Sequence, residues 1–78
     1  MNVEIMRSKA IEILLCRPDE LEEKLIPEER AAYYRNINRG GGALIISTDG
    51  SMLFVDPFFV PFEEHLQKFL KGERSIFE

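Results

Sequence analysis

Two apolar runs in the middle of the chain flank a dipeptide that favours a tight turn. Residues 43–47 and 52–55 are rich in Leu, Ile, Val and Phe, and Asp49-Gly50 lies between them. Because Asp-Gly tolerates the positive φ that tight hairpin turns require, the pattern predicts an antiparallel β-hairpin. We expect the rest of the chain to cover this hairpin.

Two registers of the hairpin fit the sequence. With a two-residue loop at 49–50, Ile46 faces Leu53; with a three-residue loop at 48–50, Ile45 faces Leu53. In either register both faces carry large apolar side chains, whereas a sheet with one wet face alternates apolar and polar residues. Both faces are therefore expected to be covered.

The first helix is predicted over residues 3–17. Asn2 is a candidate N-cap, and Pro18 ends the helix because it disfavours helical geometry for the residue before it. Residues 3–5 also alternate like a strand, so an N-terminal strand that joins the sheet is the alternative. The helical spacing i, i+4, i+7 and i+8 is carried by Met6, Ala10, Ile13 and Leu14.

Two further helices are predicted before the glycine run at 40–42. Asp19 and Glu22 have the spacing of a capping box, which opens a short helix over residues 20–25. Pro27 then begins the next helix at its first position, where proline is favoured. The apolar side of this helix is formed by Ile26, Tyr33, Tyr34 and Ile37.

The last helix begins at Pro61 and ends before Gly72, a typical residue just past a helix C-terminus. Acidic residues lie in its first turn and lysines near its end, as the helix dipole favours. The apolar stripe is formed by Phe62, Leu66, Phe69 and Leu70.

These elements predict one α+β domain over residues 1–72, followed by a loosely ordered tail at 73–78. Three to four short helices pack on an antiparallel β-hairpin, in the order α-α-α-β-β-α. Because a two-stranded sheet is marginal alone in water, we expect a dimer mate or the N-terminal strand to extend it.

Charge and composition restrict the partners. Fourteen acidic against ten basic residues give a net charge of −4, which argues against binding to nucleic acid or to an anionic membrane. No apolar run exceeds four residues, so neither a membrane span nor a secretory signal is predicted, and a cytoplasmic location is expected. One cysteine and one histidine permit neither an internal disulfide nor a four-ligand zinc site, and no cofactor is predicted.

Two patterns that invite a chemical interpretation lack support from their context. Gly40-Gly41-Gly42 follows a predicted helix and opens a strand, whereas a phosphate-binding loop follows a strand and opens a helix. Cys16 and His65 are the only residues that offer a Cys-His nucleophile pair. No nucleophile motif surrounds either residue, so we predict no catalytic residue.

The segment 19–29 is strongly acidic, with six acids against Lys24 alone. Such a run is most often a solvated face. The alternative is a surface that binds a protein with a basic surface. The acids are Asp19, Glu20, Glu22, Glu23, Glu28 and Glu29.

Aromatic residues are densest around Pro57 and Pro61. Adjacent Phe58 and Phe59 do not both fit into one small core, and exposed aromatic patches mark partner sites. We therefore predict a homodimer or hetero-partner interface formed by Phe54, Phe58, Phe59 and Phe62.

The sequence favours a small protein-interaction module, a homo-oligomer or a binder of another protein, over an enzyme. The first alternative is a small enzyme or ligand-binding domain, with His65 and either Asp56 or Tyr34 as general acid and base. The second is a purely structural subunit.

Overall fold

A computed structural model describes residues 2–38 and 41–75 of the chain. Four antiparallel strands form one sheet in chain order, and one helix packs on each face. The elements are α1 (Val3–Leu14), β1 (Leu21–Ile26), β2 (Ala31–Asn36), β3 (Ala43–Ser47), β4 (Met52–Val55) and α2 (Phe62–Leu70).

The predicted hairpin is confirmed as β3 and β4, and it has the three-residue loop. Ile45 pairs with Leu53, and Ser47 N–H donates to the carbonyl of Ser51 at 2.8 Å. Gly50 has a φ of 93°, the left-handed conformation that glycine adopts without strain. In this register Leu44 and Ile46 lie on one face of the sheet, and Ile45 and Leu53 lie on the other.

The predicted middle helices, over residues 20–25 and from Pro27 onward, are wrong, and the order α-α-α-β-β-α is wrong with them. Both segments are strands, β1 and β2, and they extend the hairpin to four strands. Five of the six residues of β2 are buried, because a helix covers each face of the sheet at this central strand. A helix of the same sequence would have buried only one stripe.

Short turns contain Pro18, which was predicted to end the first helix, and Pro27, which was predicted to begin a later one. Pro18–Glu20 and Pro27–Glu29 are single 3₁₀ turns before and after β1. Glu20 accepts a hydrogen bond from the Arg17 backbone N–H at 2.9 Å, so a capping interaction forms without a helix to follow it. Arg30 has a φ of 51°, which reverses the chain into β2.

The helix α1 covers one face of the sheet. Asn2 caps it as predicted, because its side chain accepts from Ile5 N–H at 2.9 Å, and residues 3–5 are helical rather than a strand. Met6, Ala10 and Leu14 face the sheet. They pack with Cys16 and with the side chains of Ala32, Tyr34, Leu44 and Ile46.

The helix α2 covers the opposite face, so both faces of the hairpin are covered as predicted. Phe69 is buried there, and Phe62 and Leu66 pack beside it. The sheet contributes Ala31, Tyr33, Ala43, Ile45 and Leu53. Of the helices in the described residues, none has the length and hydropathy needed to cross a membrane.

The C-terminal residues 73–75 run beside β4. Ser75 N–H donates to the carbonyl of Met52 at 2.8 Å, and Ser75 Oγ accepts from Phe54 N–H at 2.9 Å. Arg74 stacks over the Phe69 ring at 3.7 Å. The rest of the predicted tail, 76–78, lies outside the described residues, as does Gly40 of the glycine run.

Candidate protein-binding surface

The connection between β4 and α2 is a hydrogen-bonded turn, residues 56–60, which we name the aromatic turn. The side chain of Asp56 accepts from the backbone N–H of Phe58 at 2.9 Å. Its carbonyl accepts from the N–H groups of Phe59 at 3.1 Å and Val60 at 3.0 Å. These bonds fix the backbone that carries the two phenylalanine rings.

Phe58 and Phe59 project into solvent. They are 87% and 74% exposed, and their rings meet edge to face with centroids 5.0 Å apart. Edge-to-face contact is a favourable arrangement of aromatic rings, so the pair forms one unit. Two large exposed aromatic side chains on a fixed turn are typical of a partner-binding site.

An open groove lies between the aromatic turn and the segment that follows β2. Its cavity volume is about 500 Å³. Pro57 and Phe58 line it from the turn, and Ile37, itself about half exposed, lines it from the other segment. Asn36 and Asn38 add amide groups. Apolar side chains with a few hydrogen-bonding groups are the usual composition of a binding cleft.

A second cavity of about 290 Å³ adjoins the groove, since Arg35 and Pro57 line both. Its charged side chains already have partners within the chain. Arg35 Nη2 lies 2.6 Å from Glu22 Oε2, and Lys24 Nζ lies 4.2 Å from the centroid of the Phe62 ring. This cavity therefore extends the groove without adding an unpaired charge from these three residues.

The four phenylalanines of the predicted interface do not lie together. Phe62 packs edge to face on Tyr33, with centroids 4.8 Å apart, in the core under α2. Phe54 belongs to the face that α1 covers, and its ring lies so close to Gly42 that a Cβ there would collide with it. The structure therefore brings together only the pair on the aromatic turn.

Two acids of the predicted acidic surface are held by arginines on different faces of the sheet. Arg7 of α1 binds Glu23 at 2.9 Å, and this hydrogen bond lowers the pKa of the Glu23 carboxyl. Arg35 binds Glu22 at 2.6 Å. Because neighbouring residues of a strand point to opposite faces, these carboxylates do not share a surface.

The other four acids lie in the turns that flank β1. Glu20 accepts from the Asn38 side chain at 2.7 Å and from Arg17 N–H at 2.9 Å, and these bonds lower its pKa. Asp19 lies 3.5 Å from the Arg17 guanidinium. The predicted acidic surface is thus divided into separate parts. Glu28 and Glu29 are exposed in the turn between β1 and β2.

His65 lies in the core and lines neither cavity. It is completely buried, and its Nε2 lies 2.8 Å from the carbonyl oxygen of Leu53. Burial lowers the pKa of its imidazole. Asp56 lines the groove without His65, and Tyr34 lies on the opposite face of the sheet. The acid–base pairs of the enzyme interpretation are therefore not assembled.

Cys16 and His65 lie on opposite sides of the sheet. Cys16 is buried in the cluster under α1, where burial raises the pKa of its thiol. His65 belongs to α2. A nucleophile pair of these two residues is therefore not formed.

Sequence reasoning missed the part that Asn36, Ile37 and Asn38 play in the groove. It placed Ile37 on the apolar side of a helix, whereas β2 ends at Asn36 and leaves Ile37 half exposed beyond the sheet. The adjacent tyrosines at 33–34 were the available signal, because aromatic residues are enriched in strands.

Within the described residues, no group of three or more His, Cys, Asp or Glu side chains is placed to hold a metal ion. No protein-family model, curated protein or solved structure matches the chain. The aromatic turn and the groove beside it are therefore the features on which a function can rest.

Proposed function

We propose that the chain is a small cytoplasmic module that binds another protein through the aromatic turn and the groove. The observation that carries this proposal is the pair Phe58 and Phe59, held outward by the hydrogen bonds of Asp56. Aromatic side chains are enriched among residues that dominate binding energy. The single Cys16, buried and free, fits a reducing compartment.

The shape of the surface supports a partner with a protruding side chain. The edge-to-face ring pair offers an apolar anchor, and the groove beside it accepts a side chain against Ile37 and Pro57. The side-chain amides of Asn36 and Asn38 bind within the chain, to Leu14, to the Asn38 N–H and to Glu20, and so hold this wall of the groove in place. The net charge of −4 favours a partner with a basic surface.

The test uses a photo-crosslinking amino acid at position 59, compared with the same amino acid at position 15. Leu15 is the matched control because it is 88% exposed and lines neither the groove nor the second cavity. We expect a specific crosslinked protein from position 59 and none from position 15.

The affinity of the crosslinked protein is then measured against purified variants. Phe58→Ser with Phe59→Ser should weaken binding by about tenfold or more, since truncation of aromatic anchors commonly costs that much. Leu15→Ser should bind like wild type. Failure to crosslink from position 59, or equal affinity of all three chains, would leave the purely structural subunit as the better interpretation.

A further inference from the structure

The two edges of the sheet differ in how they are protected. Along β4, Ser75 occupies the carbonyl of Met52 and the N–H of Phe54. Along β1, the Leu21 N–H at the start of the strand donates to the carbonyl of Pro18, and no backbone hydrogen bond among residues 2–38 and 41–75 reaches the outer side at Glu23 or Leu25. An open strand edge presents unpaired backbone groups to a second chain.

The hydrogen-bond pattern shows which residues of β1 face this open edge. Ile37 N–H donates to the carbonyl of Glu20 at 2.9 Å, and opposite residues alternate between bonded and non-bonded pairs along an antiparallel ladder. Every second residue from Glu20 onward therefore bonds to β2. The N–H and C=O groups of Glu23 and Leu25 point outward.

The helices leave room for a second chain at this edge. The helix α1 packs mainly on β2 and β3, and α2 packs mainly on β3 and β4. Residues 22–25 are exposed, and Leu25 is an exposed apolar side chain.

The side chains of β1 are complementary to a second copy of the same strand. Consider two antiparallel copies with Glu23 opposite Glu23 at the two-fold axis. In that register Glu22 of each copy, which also holds Arg35 of its own chain, faces Lys24 of the other, and Leu21 faces Leu25. Opposite charges and apolar pairs across neighbouring strands both stabilise a sheet. Charged side chains on an edge strand usually prevent pairing with another strand. Here each charged residue of one copy faces a residue of opposite charge in the other, apart from the central Glu23 pair.

The central Glu23 pair does not oppose this register. Each Glu23 carboxylate is bound by Arg7 of its own chain, with Nε at 3.1 Å and Nη2 at 2.9 Å. The arginine balances the charge of each carboxylate. The outward backbone groups of Glu23 then pair with their own copies, as a two-fold axis requires.

We infer that β1 is the interface of a symmetric homodimer, in which two copies join edge to edge into an eight-stranded antiparallel sheet. This inference goes beyond the proposed function, because it uses the backbone of β1 and neither Phe58 nor Phe59. Substitution of those two phenylalanines leaves the dimer unchanged.

Sedimentation velocity on charge variants tests the inference. At about 100 μM, wild type should sediment as a dimer, twice the 9.1 kDa mass of the chain. Glu22→Lys or Lys24→Glu alone should weaken the dimer about tenfold or more, because both attractive pairs become repulsive. An equimolar mixture of the two variants should dimerise again, since each Lys then meets a Glu.

Glu28→Lys and Lys71→Glu are the matched controls, because they make the same charge changes at exposed positions outside β1. Both should remain dimeric. The mixing step separates an effect on the interface from an effect on folding, since a misfolded variant would not be rescued by its counterpart.

Backbone amide exchange gives a second readout that requires no substitution. The Glu23 and Leu25 amides should be protected at high protein concentration and exchange faster on dilution, whereas the Lys24 amide should stay protected at both. A monomeric wild type, or a dimer affinity in both single variants equal to that of wild type, would overturn the inference.

Discussion

His65 makes the folded state sensitive to acid. Its imidazole is completely buried between α2 and β4, and this burial lowers its pKa from the ordinary value of 6.5. Below that value the unfolded chain binds the proton more tightly than the folded chain does. Stability is therefore full above about pH 6.5 and falls as the pH drops below it.

We expect the melting temperature of wild type to fall more between about pH 7.5 and pH 5.5 than that of His65→Gln. The carboxylates are common to both chains, and His65 is the only histidine, so the difference reports its titration alone. For each protein, the melting temperature at about pH 5.5 is subtracted from its own value at about pH 7.5. A loss of stability that His65→Gln causes equally at both pH values therefore cancels. Parallel pH profiles would contradict the prediction.

Gly50 is the other residue whose role is decided locally. Its φ of 93° lies in the region that a side chain enters at a cost of roughly 1–2 kcal/mol. Gly50→Val should therefore lower the denaturant midpoint more than Ser51→Val, which changes the residue after the loop and removes the exposed hydroxyl contacts with Asp49 and Arg74. Equal midpoints for the two variants would show that the loop relaxes into another turn.

Individual helices and strands were predicted correctly from the sequence where the local signal and the tertiary fold agree. The turn dipeptide predicted β3 and β4, and helical spacing predicted α1, with Asn2 as its N-cap, and α2 after Pro61. The predicted end of α1 at residue 17 is wrong, because Leu15 takes a left-handed conformation and the helix ends at Leu14. Neither loop length of the hairpin is excluded by residues 48–51 alone. The register follows from packing, because it decides which side chains meet α1 and which meet α2.

The strands β1 and β2 were missed for a physical reason. The capping-box spacing of Asp19 and Glu22 and the proline at position 27 are local signals, but neither begins a helix. Glu20 bonds to the Arg17 N–H in one single turn, and Pro27 opens another. The alternation of β1 is obscured because four of its six residues are exposed. The alternation of β2 is obscured because both of its faces are buried. Only the neighbouring strands determine these two elements.

The candidate surface was predictable in part. Two adjacent phenylalanines do not both fit into one small core, and Phe58 and Phe59 are indeed exposed. The groove depends on where β2 ends, so its residues became recognisable only with the sheet. Phe54 and Phe62 were grouped with the pair because they are close in the chain, whereas strand alternation sends Phe54 to the other face.

In the whole molecule, the edge available to a second copy is that of β1 and not an edge of the hairpin. A lone hairpin would have left one face and two edges open, but α1 and α2 cover both faces and β2 pairs with one hairpin edge. On the other hairpin edge, Ser75 bonds to the Met52 carbonyl and the Phe54 N–H. The open edge of the molecule within the described residues is therefore that of β1, and self-association is expected there.

A chain of 78 residues buries only about 60–65% of its unfolded surface, so its stability as a monomer is modest. If two copies pair through β1, unfolding is coupled to dissociation, and mass action stabilises the folded chain as concentration rises. We expect the melting temperature of wild type to rise by about 4 °C for each tenfold increase in concentration, from the unfolding enthalpy typical of two such chains. The melting temperature of Lys24→Glu should rise less across the same range, because its self-association is weaker. Differential scanning calorimetry over two decades of concentration measures both. A wild-type melt that is independent of concentration would exclude this coupling.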